Sequence, residues 1–502
     1  MTGADAGEWR TLDKRTVVVA ALTTAGVAVV AGIPTAIGLA GSTSAGAALL
    51  WVLPGAVLLI ACGSVAEYVR WRRTRYRVGP QRVELRSGLV LRKRRSLQRD
   101  RIRNVDLTAN PLIRVFGLVN VKIGTGEQAG AGQSSVQLNP ISLAEGERLR
   151  HLLLGQAPER AHTIPQHGSL AELDPRWIRF APVSFVTPAL GAAAFGAVLQ
   201  VAEWFRLRDG VIGWAIELLG GLGLPGAIAM LLVTGLLVGA VGSLGLFVEM
   251  WWQYRLEREV GGTLRVRRGL LTTRSISLQE KRLRGVDVVE PLGNRLLGAA
   301  RVDAVATGMV RQKESERTDH KTLLPAAPRH TVDRVAADVL REPVSPTEAV
   351  RLRSHPRAAR ARRLRWALGI VAVVAGTPAV LGALLSTVLL HIAWIAAAIS
   401  LPIAVLLALD AYRNLGHGIA GGYLLTRSGS VRRSTVALQR RGVIGWTLKQ
   451  SIFQRRAGLL TLSATTAAGA GAYSAYDVAQ GPGLEFAAEA VPELLGPFLE
   501  RA

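Results

Sequence analysis

Cysteine is all but missing from this sequence: Cys62 stands alone in 502 residues, inside an apolar run. Intrachain disulfides and cysteine-based metal sites are thereby excluded, and redox chemistry is not expected. Chemistry-bearing patterns are missing as well. The eight histidines are scattered, and there is no His-Glu-x-x-His, no Gly-x-x-x-x-Gly-Lys-Ser/Thr and no nucleophile elbow. Acid is scarce, with 36 Asp and Glu against 61 Lys and Arg, and lysine supplies only seven of those 61. The expectation is a cationic protein of formal net charge +25, not an enzyme, with no metal and no cofactor.

What the chain does have is apolar length. Hydrophobic residues make up 49% and charged residues 19% of it, with a mean hydropathy of +0.27, which is the composition of an integral membrane protein. A helix needs roughly 20 apolar residues to cross a bilayer core of about 30 Å. Such stretches come in three pairs, at 17–40 and 45–66, 183–202 and 222–248, and two spans within 366–409 that turn near His391. The opening "MTGADAGEWRTLDKR" runs directly into the first span and reads as a retained anchor. Inside the spans ionisable residues are almost absent, apart from Glu217 near one end and His391, whereas ion and proton pathways need buried charge. A transporter is therefore disfavoured.

Arginine density sets the expected orientation. Arg10, Lys14 and Arg15 precede the first span, "YVRWRRTRYR" follows the second, and "VRLRSHPRAARARRLR" precedes the fifth, while the loops "GSTS" and "EWFRLRDG" carry little net charge. The amino terminus and the segments between hairpins are expected in the cytoplasm. The candidate lipid-facing cations are Arg70, Arg72, Arg73, Arg75, Arg360, Arg362 and Arg363, for which setting topology and binding anionic headgroups both remain open. No recognition helix or stacking motif accompanies the charge, so no nucleic acid is expected as a partner.

The segment "SLQRDRIRNVDLTANPLIRVFG" at 96–117 recurs twice. An offset of 181 superposes Gly88 on Gly269, Leu97 on Leu278, Gln98 on Gln279, Arg101 on Arg282, Val105 on Val286, Arg114 on Arg295, Gly117 on Gly298 and Val121 on Val302. An offset of 341 superposes Gly88 on Gly429, Leu97 on Leu438, Gln98 on Gln439, Arg114 on Arg455, Gly117 on Gly458 and Val121 on Leu462. The third copy has Gly442 in place of Arg101 and Trp446 in place of Val105. Each second span also ends on an acid followed by aromatics and arginine, namely Glu67, Glu249 and Asp410. Period-two alternation around a Gly turn in "RVELRSGLVLRKRRSL" and "TLRVRRGLLTTRSISL" predicts hairpins, "LVNVKIGT" and "ARVDAVAT" predict further strands, and polar loops at 126–135 and 308–321 lead to "VQLNP" and "TLLPA". "SLAEGERLRHLLL" and "HTVDRVAADVL" predict closing helices, the first with Ser142 and Glu145 as a capping box. Residues 468–483, rich in Gly and Ala, read as a loop. The order is that of a small β-barrel closed by a carboxy-terminal helix.

A Gly-turn hairpin, a Leu-x-x-x-Arg-Ile-x-x-Val strand, an arginine-bearing break and a Phe-Gly-Leu, all behind a two-helix membrane hairpin, resemble the bacterial pleckstrin-homology-like (bPH2) membrane proteins of the YdbS/YdbT type. Leu97, Arg101, Ile102, Val105, Arg114, Phe116, Gly117 and Leu118 carry the resemblance in the first copy, and Leu278, Arg282, Val286, Arg295 and Gly298 in the second. It implies a PH-like fold and membrane residence. The expected architecture is a multi-pass α-helical membrane protein of six spans in three hairpins, carrying three cytoplasmic PH-like β-barrel modules. Its expected divisions are 1–69 (tail and first hairpin), 70–156 (first module), 157–250 (linker and second hairpin), 251–342 (second module), 343–410 (basic linker and third hairpin) and 411–502 (divergent third module). Arg101 and Arg114 are expected to brace turns, and Gly88, Gly117 and their equivalents to meet backbone requirements at bends. The expected role is a scaffold or binding protein at the inner leaflet of a bacterial plasma membrane, contacting the bilayer, anionic headgroups or an unidentified membrane or cytoplasmic protein. The alternative is an envelope-stress or antimicrobial-peptide resistance factor acting through membrane partners; a transporter or membrane enzyme ranks below both.

Overall fold

A computed structural model describes residues 8–41, 44–88, 93–102, 104–124, 135–154, 169–184, 186–205, 207–259, 261–308 and 321–495. The two long polar loops expected from the sequence fall largely outside the described residues, as does part of the "GSTS" loop. Contacts divide the chain into two compact units, Met1–Glu280 and Lys281–Ala502.

In the first unit, β1 (Arg10–Thr11) precedes α1 (Arg15–Ala40) and α2 (Ala45–Arg73). Then come β2 (Arg75–Val78), β3 (Arg82–Ser87), β4 (Lys93–Gln98), β5 (Asn104–Ala109), α3 (Pro111–Val115), β6 (Leu118–Gly124), β7 (Ser135–Ser142) and α4 (Leu143–Leu153). After β8 (Ser169–Glu172), α5 (Val186–Trp204), α6 (Arg208–Gly220) and α7 (Gly223–Trp251) lead into β9 (Arg255–Glu259), β10 (Thr263–Arg268) and β11 (Thr273–Gln279). All strand pairs are antiparallel, in sheets ordered β1-β2-β3-β4 and β7-β6-β5-β11-β10-β9-β8. Val83, Leu97, Val105, Val121, Val136 and Leu149 share one core, so β2–β4, β5–β7 and α4 pack as a body. Alternation supplies the reason: in β3 and β6 every second side chain is apolar and turns inward.

The second unit holds β12 (Leu283–Pro291), α8 (Leu292–Leu296), β13 (Ala299–Ala306), β14 (Thr322–Pro328) and α9 (Arg329–Leu340). Beyond them lie α10 (Arg357–Leu385), α11 (Thr387–Arg413), β15 (Gly416–Ala420), β16 (Tyr423–Ser428), β17 (Arg432–Gln439), β18 (Val443–Lys449), α12 (Ile452–Arg456), β19 (Leu459–Thr466), β20 (Ala472–Ala479) and α13 (Gln480–Ala490). Its sheets run β14-β13-β12-β17-β16-β15 and β18-β19-β20. Leu438, Val443, Leu462, Val478 and Phe486 anchor a core between them.

Six helices, α1, α2, α5, α7, α10 and α11, are long and apolar enough to cross a membrane. Large apolar side chains such as Trp51 and Trp394 point outward from them, as a lipid-facing surface requires. Small residues set the close approaches: a Cβ on Gly191 of α5 would lie 2.0 Å from the Gly235 carbonyl oxygen of α7. Four expectations need correction. Helix α6 (Arg208–Gly220) begins inside the segment 203–210 expected as a loop. The break between α10 and α11 falls at Ser386, and His391 sits inside α11 with Nδ1 2.8 Å from the Thr387 carbonyl oxygen. Helix α10 starts at Arg357, because an arginine-rich segment continues a helix as readily as alanine does. Residues 472–490 form β20 and α13 rather than a loop: Tyr473, Ala475 and Val478 pack on one side, and small residues are tolerated where β19 covers them.

Pairing between copies of the repeat is the feature that periodicity does not encode. Strand β5 of the first copy pairs with β11 of the second, and β12 of the second pairs with β17 of the third. The registers agree. Ser275 faces Leu107 and Leu278 faces Asn104 in the first junction, while Thr435 faces Val288 and Leu438 faces Gly285 in the second. Under the repeat offsets these are the same residue pairs.

Candidate functional site

At the carboxy-terminal end of α7 the chain leaves the helix at Trp251 and turns through Tyr254 into β9. Strands β10 and β11 fold back around Gly269, whose φ is 113° and whose Cβ, if present, would sit 2.0 Å from the Thr272 carbonyl oxygen. Only glycine fits there. The equivalent Gly88 and Gly429 have φ of 134° and 100°, and Gly117, Gly298 and Gly458, which end α3, α8 and α12, have φ of 67°, 67° and 61°. The Glu249 carboxylate of α7 accepts hydrogen bonds from the Leu271 and Thr272 amides, both at 2.9 Å, and so ties the hairpin turn to the helix.

Between this turn, β9 and the neighbouring β5 and α4 opens a cleft of about 720 Å³. Arg255, Arg267, Arg268 and Arg274 line it, against Glu147 and Glu172. Arg268 is buried with its guanidinium 4.3 Å from the Trp251 ring, Arg267 is exposed, and Arg255 is held from the rim by Glu172 at 3.3 Å. Arg265 also lines the cleft, but its charge is spent. It binds Glu147 at 2.5 Å, Glu259 at 3.1 Å and Ser275 at 2.9 Å, while Arg150 of α4 binds Glu259 at 2.7 Å and Glu147 at 2.9 Å. Burial alone would raise the Glu147 carboxyl, but Arg265 and Arg150 outweigh it and hold it below the ordinary value. Burial, then Arg150, pushes Arg265 down. Glu147 is therefore held as an anion within this ring, and the cleft wall is rich in guanidiniums, the groups that recognise phosphate and carboxylate.

The repeat marks Gly269 and the run from Glu249 to Arg255, but Arg265, Arg267, Arg268 and Arg274 did not stand out, although they flank Gly269 closely enough to have been a signal. Of the motif residues, Leu97, Val105, Leu278, Val286 and Leu438 are buried. Arg114 donates to the Leu270 carbonyl at 2.6 Å, in the turn of the next hairpin. Arg295 donates to Asp410 at 2.8 Å, and Asp410 also accepts from Ser430 and Asn414. Both arginines thus reach from one copy into the next, while Arg455 is exposed. Arg101 is exposed and Arg282 half-buried, each closing a short 3-10 turn. Ser142 accepts from the Glu145 amide at 3.3 Å, and the Glu145 carboxylate pairs with Arg10 and Arg148.

Among the flanking cations, Arg72, Arg73, Arg75 and Arg360 are exposed, and Arg70 pairs with Glu67 at 2.5 Å. Arg362 and Arg363 turn inward, to the buried Asp477 carboxylate at 2.5 and 3.2 Å. Beside them His417 Nδ1 lies 3.0 Å from His355 Nε2, and burial, then His355, lowers His417 to about 4. Among the described residues no group of three or more His, Cys, Asp or Glu could hold a metal ion.

Comparison with known proteins agrees with this architecture. The chain is 22% identical over 257 residues to the UPF0699 transmembrane protein YdbT of Bacillus subtilis (strain 168), an alignment covering 48% of this chain and 51% of that protein. The chain thus spans about half the length of the curated relative it matches. No solved structure matches it. The model of the bacterial PH domain matches residues 22–157 and 366–492, which hold the first and third copies of the repeat with membrane helices before each. With just over half of its residues inside those two matches, and six helices fit to cross a bilayer, the chain belongs to the bacterial PH domain family as a multi-pass membrane protein.

Proposed function

We propose that this chain is a non-enzymatic scaffold that carries three PH-like modules on three membrane hairpins at the cytoplasmic leaflet and holds anionic headgroups in the arginine-lined cleft. The carrying observation is the position of that cleft. Its guanidiniums follow directly on the last turn of an apolar helix, with Trp251 and Trp252 between, where a bilayer's headgroups begin. Juxtamembrane cations near an anionic leaflet gain about 1 kcal/mol each, and Arg267, exposed at the cleft, is placed to supply such a contact.

The test uses the full chain in nanodiscs of phosphatidylcholine with or without phosphatidylglycerol, followed by native mass spectrometry of retained lipid. Phosphatidylglycerol should be retained preferentially, less so as salt rises past a Debye length of about 10 Å at 0.1 M. Arg267→Gln with Arg274→Gln should abolish the preference. Equal retention of both lipids, or an unaltered preference in the double variant, refutes the headgroup reading. Orientation rests on arginine density and has its own check. In a Cys62→Ser background, Asp209→Cys should react with an impermeant thiol reagent on intact cells and Ser315→Cys only after lysis. Labelling of Ser315→Cys on intact cells would reverse the orientation.

A further inference from the structure

Each internal junction has the same parts: an acceptor strand that follows the 3-10 turn of one copy, and a donor strand that closes the Gly-turn hairpin of the next. β5 accepts β11 and β12 accepts β17. Among the described residues one acceptor and one donor are left over. Strand β18 is the outer strand of its sheet, and β4 the outer strand of its own. Both carry a row of backbone groups that their equivalents bond to a neighbouring copy, a ready template for another strand.

The surface around β18 fits an uncovered junction. Ile444 is 63% and Leu448 46% exposed in β18, with Ile452 72% and Phe453 66% exposed just beyond it, whereas Val105 to Leu107 of β5 are buried. Arg455, the counterpart of the two arginines that grip the next hairpin, is exposed as well. On the donor side, Gly88 keeps the positive φ of its counterparts, and Glu67 ends its span as Asp410, which receives Arg295, ends the later one.

We infer that β18 of one chain accepts β4 of a second copy, extending the internal junction from molecule to molecule. The occupant is a second copy because the leftover donor and acceptor belong to one repeat series and both filled junctions share one register, which transfers without adjustment. It places Arg94 opposite Leu448, Leu97 opposite Gly445 and Lys93 opposite Lys449. Such a contact is heterologous, so it closes into a ring or propagates as a row. Confinement of both chains to one bilayer raises their effective concentration. The facing lysines oppose the contact, since like charges directly across an antiparallel pair repel. The junction between chains is accordingly weaker than those within a chain.

Two differently tagged full-length chains, both Cys62→Ser, are co-expressed, one with Arg94→Cys and the other with Leu448→Cys. Mild oxidation of membranes should yield a disulfide-linked heterodimer, because opposed residues in paired strands lie within disulfide reach. Adding Lys449→Glu, a surface change, should raise the yield severalfold, and Phe453→Asp should lower it. Thr447→Cys in place of Leu448→Cys points to the other face of the strand and should give little product. The inference is overturned if no heterodimer forms although both chains are inserted, if Thr447→Cys cross-links equally, if Lys449→Glu leaves the yield unchanged, or if Leu448→Cys is captured only by a different protein.

Discussion

Arg150 is the most deeply buried arginine among the described residues. It is 1% exposed, yet it carries a full charge, since Glu259 and Glu147 outweigh the burial that would lower its guanidinium. With Arg265 it completes a ring of two cations and two anions joining α4 of the first copy to β9 and β10 of the second. Breaking a buried pair by removing one partner typically costs about 3 to 5 kcal/mol, because the other charge stays behind. Arg150→Met should therefore destabilise the first unit by about that amount, although Met fills similar volume. Thermal unfolding of the detergent-solubilised protein reads this directly, and a melting temperature within a degree of the parent would show that the ring contributes nothing. Hydropathy gave no warning of the ring. Glu147 and Arg150 look in sequence like an ordinary surface pair three residues apart on a helix, and what buries them is a sheet more than a hundred residues away.

At the scale of elements, the sequence was legible wherever a local period decides the structure. Apolar runs became the helices fit to cross a bilayer, and alternation around Gly88 and Gly269 became hairpins, because a half-buried strand needs period two and a tight turn needs positive φ. Ser142 capped α4 as its spacing suggested, although Glu145 was drawn off to Arg10 and Arg148 rather than back to the cap. The part of 468–483 that forms β20 and the start of α13 was misread because Gly and Ala carry little strand or helix preference, and packing against β19 decided between them. The junctions β5–β11 and β12–β17 were invisible for a different reason. An edge strand and a paired strand share the same alternation, so which neighbour an edge accepts is not written in its period. The cleft went unseen with them, because its arginines become neighbours of α4 only once β5 meets β11.

At the scale of the whole chain, each unit carries buried titratable groups that couple its stability to pH, and in the second unit Asp287, raised by burial and then by Asp303, opposes the histidines. In the first, burial raises Asp106 from 3.8 to about 7, against the pull of Lys122 and Asn104. The folded carboxyl keeps its proton where the unfolded one loses it, so this unit loses stability as pH rises from about 4 to 7, by about 4 kcal/mol in all at about 1.4 kcal/mol per unit. In the second, burial and the neighbouring His355 and Arg353 lower His417 from 6.5 to about 4. Here the unfolded imidazole takes a proton that the folded one refuses, so stability falls as pH drops from 6.5 towards 4, by about 3 kcal/mol. His355, lowered by its own burial, acts in the same direction. Acidification from pH 7 to pH 5 should thus strengthen protection in β5 and β6 and weaken it in β15 and β16, as read by hydrogen exchange corrected for the intrinsic rate at each pH. Asp106→Asn should abolish the gain in the first unit without touching the second, and His417→Gln the reverse. Protection moving in one direction throughout the chain, or slopes that survive both substitutions, would mean that neither buried group governs the response.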